Sequence, residues 1–293
     1  NSLLNAYDEK HFFIEPCNQL IIQFLRHIYL VFEEWLITSK PNDAKSILLT
    51  GALQKPRFTL RNIAMELKAK ILITGANGMV GSALVRILKD MGYSNLLTPT
   101  HNSLDFCNQT DVQEYLKSHK PEYVFHLAAM VGGIHANSLY AADFIRNNTI
   151  MQCNVIDACQ KYGLKKLLFP GSACTYPKMA PQPIKEREFL SGKIEPTNIA
   201  YAAAKINGII MCQSYARQYG LKTVIPMPTN TYGVGDNFSP EQSHVIPALM
   251  QRFHDAKENK LDQVIIWGSG KVLREFIYVD DLADSFVFLM EKY

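Results

Sequence analysis

From residue 70 onward the sequence predicts an α/β fold, a doubly wound parallel sheet with helices on both faces. Three observations predict it. Short apolar runs alternate with longer stretches of helical spacing. A glycine-rich turn joins the first run to the first helical stretch. The alternation then continues in series with no internal repeat, the pattern of successive β-α units.

The elements follow in order. KILIT (70–74) reads as the first strand and residues 80–91 as the first helix. NLLTP (95–99) precedes a helix at 111–118, and EYVFHLA (122–128) precedes a long helix at 137–162. KKLLFP (165–170) is the fourth strand, with a helix at 198–219 after it. TVIPM (223–227), a helix at 244–259, VIIW (264–267) and a helix beginning near Asp281 complete the series.

Residues 1–68 have a different character. LIIQFLRHIYLVFEEWLI (20–37) is apolar, but Gln23, Arg26, His27, Glu33 and Glu34 interrupt it, which a membrane-spanning helix tolerates poorly. Its apolar residues fall at helical spacing, so it is expected to be an amphipathic helix packed on another domain or a partner. The chain begins with Asn1 and ends on EKY, and both ends read as cuts through a longer protein.

Composition excludes several classes. The 293 residues are 47% hydrophobic and 19% charged, as in an ordinary globular protein. The net charge of +3 is dispersed, with no basic block, so nucleic acid is not an expected partner, and neither is a membrane. The six cysteines form no CxxC pair and join no histidine cluster, which argues against a zinc site or a disulfide framework and fits a reducing cytoplasm.

KILITGANGMVGSALVRIL (70–88) is strand, turn and amphipathic helix, with Gly75, Gly78 and Gly81 at GxxGxxG spacing. In a Rossmann-like dinucleotide site the first glycine permits the tight turn. The second lets the backbone approach a pyrophosphate, and the third lets helix pack on strand. Ala76, Asn77, Met79 and Val80 complete the turn that would cradle the phosphates at the helix N-terminus. No acidic residue ends the second strand. Thr100, His101, Asn102 and Ser103 stand there instead, which favours a 2′-phosphate and NADP(H) over NAD. Asp105 either faces the adenine or is a solvated loop acid.

Tyr201 and Lys205 are four apart on a predicted helix and share a face. An ammonium near a phenol lowers its pKa, and the tyrosine can then trade a proton with a carbonyl or alcohol during hydride transfer. Ser172 follows the fourth strand. Behind a dinucleotide turn, these three residues resemble the short-chain dehydrogenase/reductase superfamily in its extended form. Cys174 lies in the same loop, where ligands of open α/β sheets bind. It would act as a base if a neighbouring charge lowered its pKa. A cysteine-histidine hydrolase with His244 is the competing reading, but no oxyanion motif accompanies it.

Longer stretches narrow the resemblance. TGANGMVGSAL, HLAAMVGGI, ADFIRNN, LLFPGSACTYPK, EPTNIAYAAAKING, MPTNTYGVGDNF, SHVIPALMQRFH and WGSGKVLREFIYVDD together are similar to the GDP-L-fucose synthase family. That resemblance implies 3,5-epimerisation and then NADPH-dependent 4-keto reduction of GDP-4-keto-6-deoxy-D-mannose, in one site of a cytoplasmic homodimer. It implies Cys174 and His244 as the acid/base pair of the epimerisations, and Tyr201, Lys205 and Ser172 as the reducing machinery. It also implies cofactor contacts at Leu127, Ala128, Ala129, Gly171, Pro228, Asn230 and Thr231, with Lys205 and His244 beside them. Arg252, Trp267 and Arg274, with Asn230, would meet the substrate: arginine forks on phosphate, tryptophan as a stacking face.

Some positions depart from the family pattern. His101 stands where many members have a basic residue, Ala173 replaces a serine, Pro170 precedes Gly171, and Val234 replaces a common proline. Residues 1–68 fall outside the family, as a helical extension. Residues 69–293 are expected to hold the NADP-binding domain and the first part of a smaller, C-terminally truncated substrate domain. The alternatives are another sugar-nucleotide epimerase or reductase, or a non-catalytic NADP-binding module.

Overall fold

The structure is a computed structural model that describes residues 65–240, 242–266 and 268–293. The expected amphipathic helix at 20–37 lies outside the described residues. The chain divides into two compact units. Of the described residues, one holds residues 65–259 and 273–293, and residues 260–272 belong to the other.

The larger unit is built on five parallel strands: β1 (Ile71–Thr74), β2 (Leu96–Leu97), β3 (Tyr123–His126), β4 (Lys166–Leu168) and β5 (Thr223–Val224). Their spatial order is β2-β1-β3-β4-β5. The chain leaves β1 toward one edge and returns to β3 on the other side, so the topological switch point falls between β1 and β3. Ligands of such sheets bind outside the carboxyl ends of the strands at that point.

Helices cover both faces. α1 (Met79–Asp90) and α7 (Val279–Lys292) form one layer. Their apolar residues pack with Ile71, Ile73, Phe125 and Leu168. α2 (Gln109–His119), α4 (Ala141–Lys161) and α5 (Ile199–Tyr219) form the other, over Leu72, Val124, Leu167 and Phe169. Successive residues of β1 thus feed opposite cores, which is why Ile71, Leu72 and Ile73 are apolar in succession and do not alternate. Local chemistry sets the helix ends. Asn108 accepts from the N–H groups of Thr110 (3.0 Å) and Asp111 (3.4 Å) to cap α2, and Gly220 in left-handed geometry closes α5.

Three expectations need correction. The helix expected over 137–162 is two helices, α3 (Ile134–Leu139) and α4, because Tyr140 (φ −111°, ψ 31°) leaves helical geometry and caps both. Residues 264–266 of the apolar run at 264–267 form no strand beyond an isolated bridge at Ile266, and they belong to the smaller unit. Two short strands were not anticipated: β6 (Asn230–Tyr232) and β7 (Phe276–Tyr278), which pair in parallel as a separate sheet. α6 (Val245–Glu258) lies between them in sequence.

Candidate active site

The glycine turn has the geometry its spacing requires. Gly75 is left-handed (φ +69°), and a Cβ on it would stand 2.8 Å from the backbone nitrogen of Ala128. At Gly81 a Cβ would stand 2.1 Å from the Gly75 carbonyl oxygen, so only glycine lets α1 approach the turn. Gly78 is the N-cap of α1, with no side-chain cap and no acidic residue in the first turn. The N–H groups there have no side-chain cap, as a pyrophosphate cradle needs. The site fits a dinucleotide on these grounds.

Thr74 and His126, which tie the floor of the cradle beneath Leu127 and Ala128, were not singled out in the sequence. Ala128 N–H donates to Thr74 Oγ1 (2.9 Å), and the same oxygen lies 2.9 Å from His126 Nδ1. Leu127 N–H donates to the Thr74 carbonyl (3.2 Å). The ends of β1 and β3 are therefore tied across the switch point, and Ala129 continues the loop. His126 is 2% exposed, and burial aided by the Lys205 charge pushes its imidazole down to about 3. A histidine in an otherwise apolar strand was the available signal. His101 is exposed in the turn after β2. Asp105 Oδ1 accepts from Cys107 N–H (2.8 Å), so this carboxylate closes its own turn, as a loop acid does.

The loop after β4 is held from two sides. Gly171 N–H donates to the Pro226 carbonyl (2.8 Å), and Ala173 N–H donates to the Pro228 carbonyl (3.1 Å). Between them Ser172 caps a 3-10 turn over Ala173–Thr175, its Oγ accepting from Cys174 N–H at 3.4 Å. From α5, Lys205 Nζ reaches the Pro170 carbonyl at 2.9 Å. The ammonium stands 4.8 Å from the centroid of the Phe169 ring and 5.9 Å from that of Tyr201. Cys174 and Tyr201 thereby lie near one buried ammonium, that of Lys205, and Ser172 is joined to them through the Cys174 backbone.

Their electrostatics differ from expectation in two respects. Tyr201 is raised above the ordinary phenol value, by burial first and by Cys174 second, although Lys205 is close. Desolvation of the anion outweighs the ammonium, and the side chain is held as a protonated acid. Cys174 is likewise raised by burial, against the lowering effects of the Ser172 hydroxyl and Lys205. Burial lowers Lys205 itself to about 8, with Cys174 and Cys212 opposing.

The remaining residues are placed as follows. His244 is exposed and caps α6. Its charge acts to lower Asp236, although burial leaves that carboxyl raised overall. Asn230 Nδ2 donates to the Glu275 carbonyl (3.0 Å), bracing β6 against the strand beside it, and Thr231 Oγ1 donates to the Thr229 carbonyl at 3.4 Å. Arg252 is half-buried on α6. Arg274 is exposed, its guanidinium donating to the Leu273 carbonyl (2.9 Å). Trp267 lies outside the described residues. Among the described residues there is no group of side chains suited to hold a metal ion, and no helix is long and apolar enough to cross a membrane.

The sequence profile of the NAD dependent epimerase/dehydratase family matches residues 71–293. GDP-L-fucose synthase 1 of Arabidopsis thaliana is 54% identical over 225 residues, covering 77% of this chain and 70% of the relative. GDP-L-fucose synthase of Escherichia coli K12 is 47% identical over 224 residues, covering 76% and 70%. Among solved structures, a GDP-L-fucose synthetase from Naegleria fowleri bound to NADP superposes with a TM-score of 0.70 at 32% identity. It covers 78% of this chain and 74% of that one.

Proposed function

Because the chain belongs to the NAD dependent epimerase/dehydratase family, we propose that it converts GDP-4-keto-6-deoxy-D-mannose to GDP-L-fucose with NADP(H) as cofactor, by epimerisation at C3 and C5 and reduction at C4. The observation that carries this reading is the convergence of Cys174 and Tyr201 on Lys205. A plain ketone reductase needs the tyrosine, lysine and serine. It has no use for a thiol in the same loop.

C3 and C5 flank the C4 ketone, so loss of either proton leaves an enolate that the carbonyl stabilises. Inversion needs one group to remove the proton and a second to return one on the opposite face. Cys174 and His244 fill these roles. The turn spanning Gly75 to Gly81 would hold NADPH, which when bound would supply the hydride for reduction at C4. Tyr201, kept protonated by burial, gives its proton to the forming alkoxide. Lys205 stabilises the phenolate left behind, and Ser172 orients the carbonyl. Arg252, Arg274 and Trp267 would hold the GDP moiety. A cytoplasmic homodimer belongs to the same proposal.

The test is NADPH consumption with GDP-4-keto-6-deoxymannose, with the sugar product identified. GDP-L-fucose supports the reading. A C4-reduced sugar with C3 and C5 uninverted would replace it with a simple reductase. NADPH binding with no turnover would favour a non-catalytic module.

A further inference from the structure

Gly132 and Gly133 follow β3 and lead into α3. Asn137, on α3, is 7% exposed. Its Nδ2 donates to the carbonyl oxygens of Gly132 (2.7 Å) and Gly133 (3.0 Å), and its backbone N–H donates to Gly133 as well (3.0 Å). From the opposite side, Gly133 N–H donates to the Gln242 carbonyl (3.0 Å). The α-carbon of Gly133 lies so close to the next residue that a Cβ would stand 2.5 Å from the Ser243 carbonyl oxygen. Gln242 and Ser243 lead directly into His244. The other glycine faces Phe144, whose ring stands edge-on to Tyr201 with centroids 6.5 Å apart. One loop therefore touches both the backbone that delivers His244 and the ring beside Tyr201.

We propose that Asn137 is a positioning residue for the epimerisation. It clamps the Gly132–Gly133 loop, and through that loop it sets where His244 stands. This rests on the acid/base role given to His244 above.

The chemistry of the clamp favours this over simple packing. Asn137 Oδ1 is buried with no hydrogen-bond partner. A buried, unsatisfied acceptor costs about 1–3 kcal/mol, so an apolar residue of similar volume would pack there at less cost. The carboxamide supplies two donors aimed at two successive carbonyls, which no apolar side chain reproduces. On the far side the stretch has further ties among the described residues: Gln242 N–H (3.2 Å) and Ser243 N–H (2.9 Å) donate to the Ser239 carbonyl, Ala248 N–H donates to the His244 carbonyl (3.0 Å), and Asn237 Nδ2 donates to Gln242 Oε1 at 3.4 Å. Ser243 Oγ adds no bond of its own. The glycine contact is what joins this stretch to the loop after β3, and it bears directly on the residue before His244.

The test replaces Asn137 with leucine, which keeps the number and branching of side-chain heavy atoms and removes both donors. Solvent deuterium incorporated at C3 and C5 reports epimerisation, and NADPH titration with thermal melting reports the fold. Asn137→Leu is expected to melt no lower than the parent and to bind NADPH within about twofold of it. Its maximal exchange rate should fall about 10–100-fold, the scale of a misplaced reacting group, with KM little changed. Gly133→Ala attacks the same contact from the other side. It should reproduce the loss, and it serves in place of Asn137→Leu if that variant does not fold. His244→Asn is the reference. If His244→Asn loses exchange while Asn137→Leu and Gly133→Ala keep it, the clamp is overturned and the role of His244 stands. If His244→Asn itself exchanges normally, the acid/base assignment fails and the clamp fails with it.

Discussion

Lys205 Nζ donates a 2.9 Å hydrogen bond to the carbonyl oxygen of Pro170, across 35 positions of chain. The bond joins the helix that carries Tyr201 to the loop that carries Ser172 and Cys174. It places one charge within reach of the groups assigned to reduction and of the thiol assigned to epimerisation. Four consequences can be measured.

The first concerns alkaline pH. Lys205 is lowered to about 8, chiefly by burial, so its charge is present below that value and lost as pH rises through it. The thiols facing it, Cys174 and Cys212, are pushed up by burial, and His126 is pushed down, so these neighbours are neutral near pH 7. Reductase kcat should fall as pH rises past about 8. In Lys205→Arg the decline should disappear from this range, because guanidinium does not titrate there. A pH–rate profile of both proteins checks it.

The second separates the two half-reactions. Cys174→Ser should lower deuterium exchange at the ring carbons by about 100-fold, within the range for general acid–base groups, and leave NADPH affinity unchanged. Tyr201→Phe should do the reverse, exchanging deuterium while NADPH oxidation falls by about 1,000-fold. Loss of deuterium exchange in Tyr201→Phe equal to its loss of NADPH oxidation would contradict the division of labour.

The third concerns the phosphate cradle. Gly81→Val would place a Cβ 2.1 Å from the Gly75 carbonyl oxygen, well inside contact distance. The turn must shift, and NADPH affinity should fall by at least about tenfold, about 1.4 kcal/mol. Fluorescence titration with NADPH reads this directly.

The fourth concerns acid stability. His126 titrates near 3 in the folded protein and near 6.5 when unfolded. Between these values the unfolded chain binds the extra proton. Stability present above about pH 6.5 is therefore lost as pH falls toward 3. His126→Gln should flatten this acid limb in thermal melts recorded from pH 7 to 4, at some cost in stability at neutral pH from the changed contact with Thr74.

Much of the sheet was legible because its signals are local. The apolar runs at β1, β3 and β4 are each contiguous, and the glycines that follow β1 lie within a few residues of it. β6 and β7 were not legible. Each has three residues, β6 includes Asn230 and Thr231, and their pairing joins segments 46 positions apart in register. The break at Tyr140 was hidden by helical spacing that continues on both sides of it.

The sequence by itself determined the order of the β-α units and the cradle glycines, which depend on spacing along the chain. It singled out Ser172, Tyr201 and Lys205 by their pattern, and Cys174 with His244 as an acid/base pair by resemblance to a family. Only the tertiary structure decided that Tyr201 is held as an acid, that the Cys174 thiol is raised despite a nearby ammonium, and that Lys205 titrates near 8. It also decided that Gly133 lies against the Ser243 carbonyl. Desolvation and close backbone approach are set by segments distant in sequence, and no local pattern encodes how much water a folded neighbour removes.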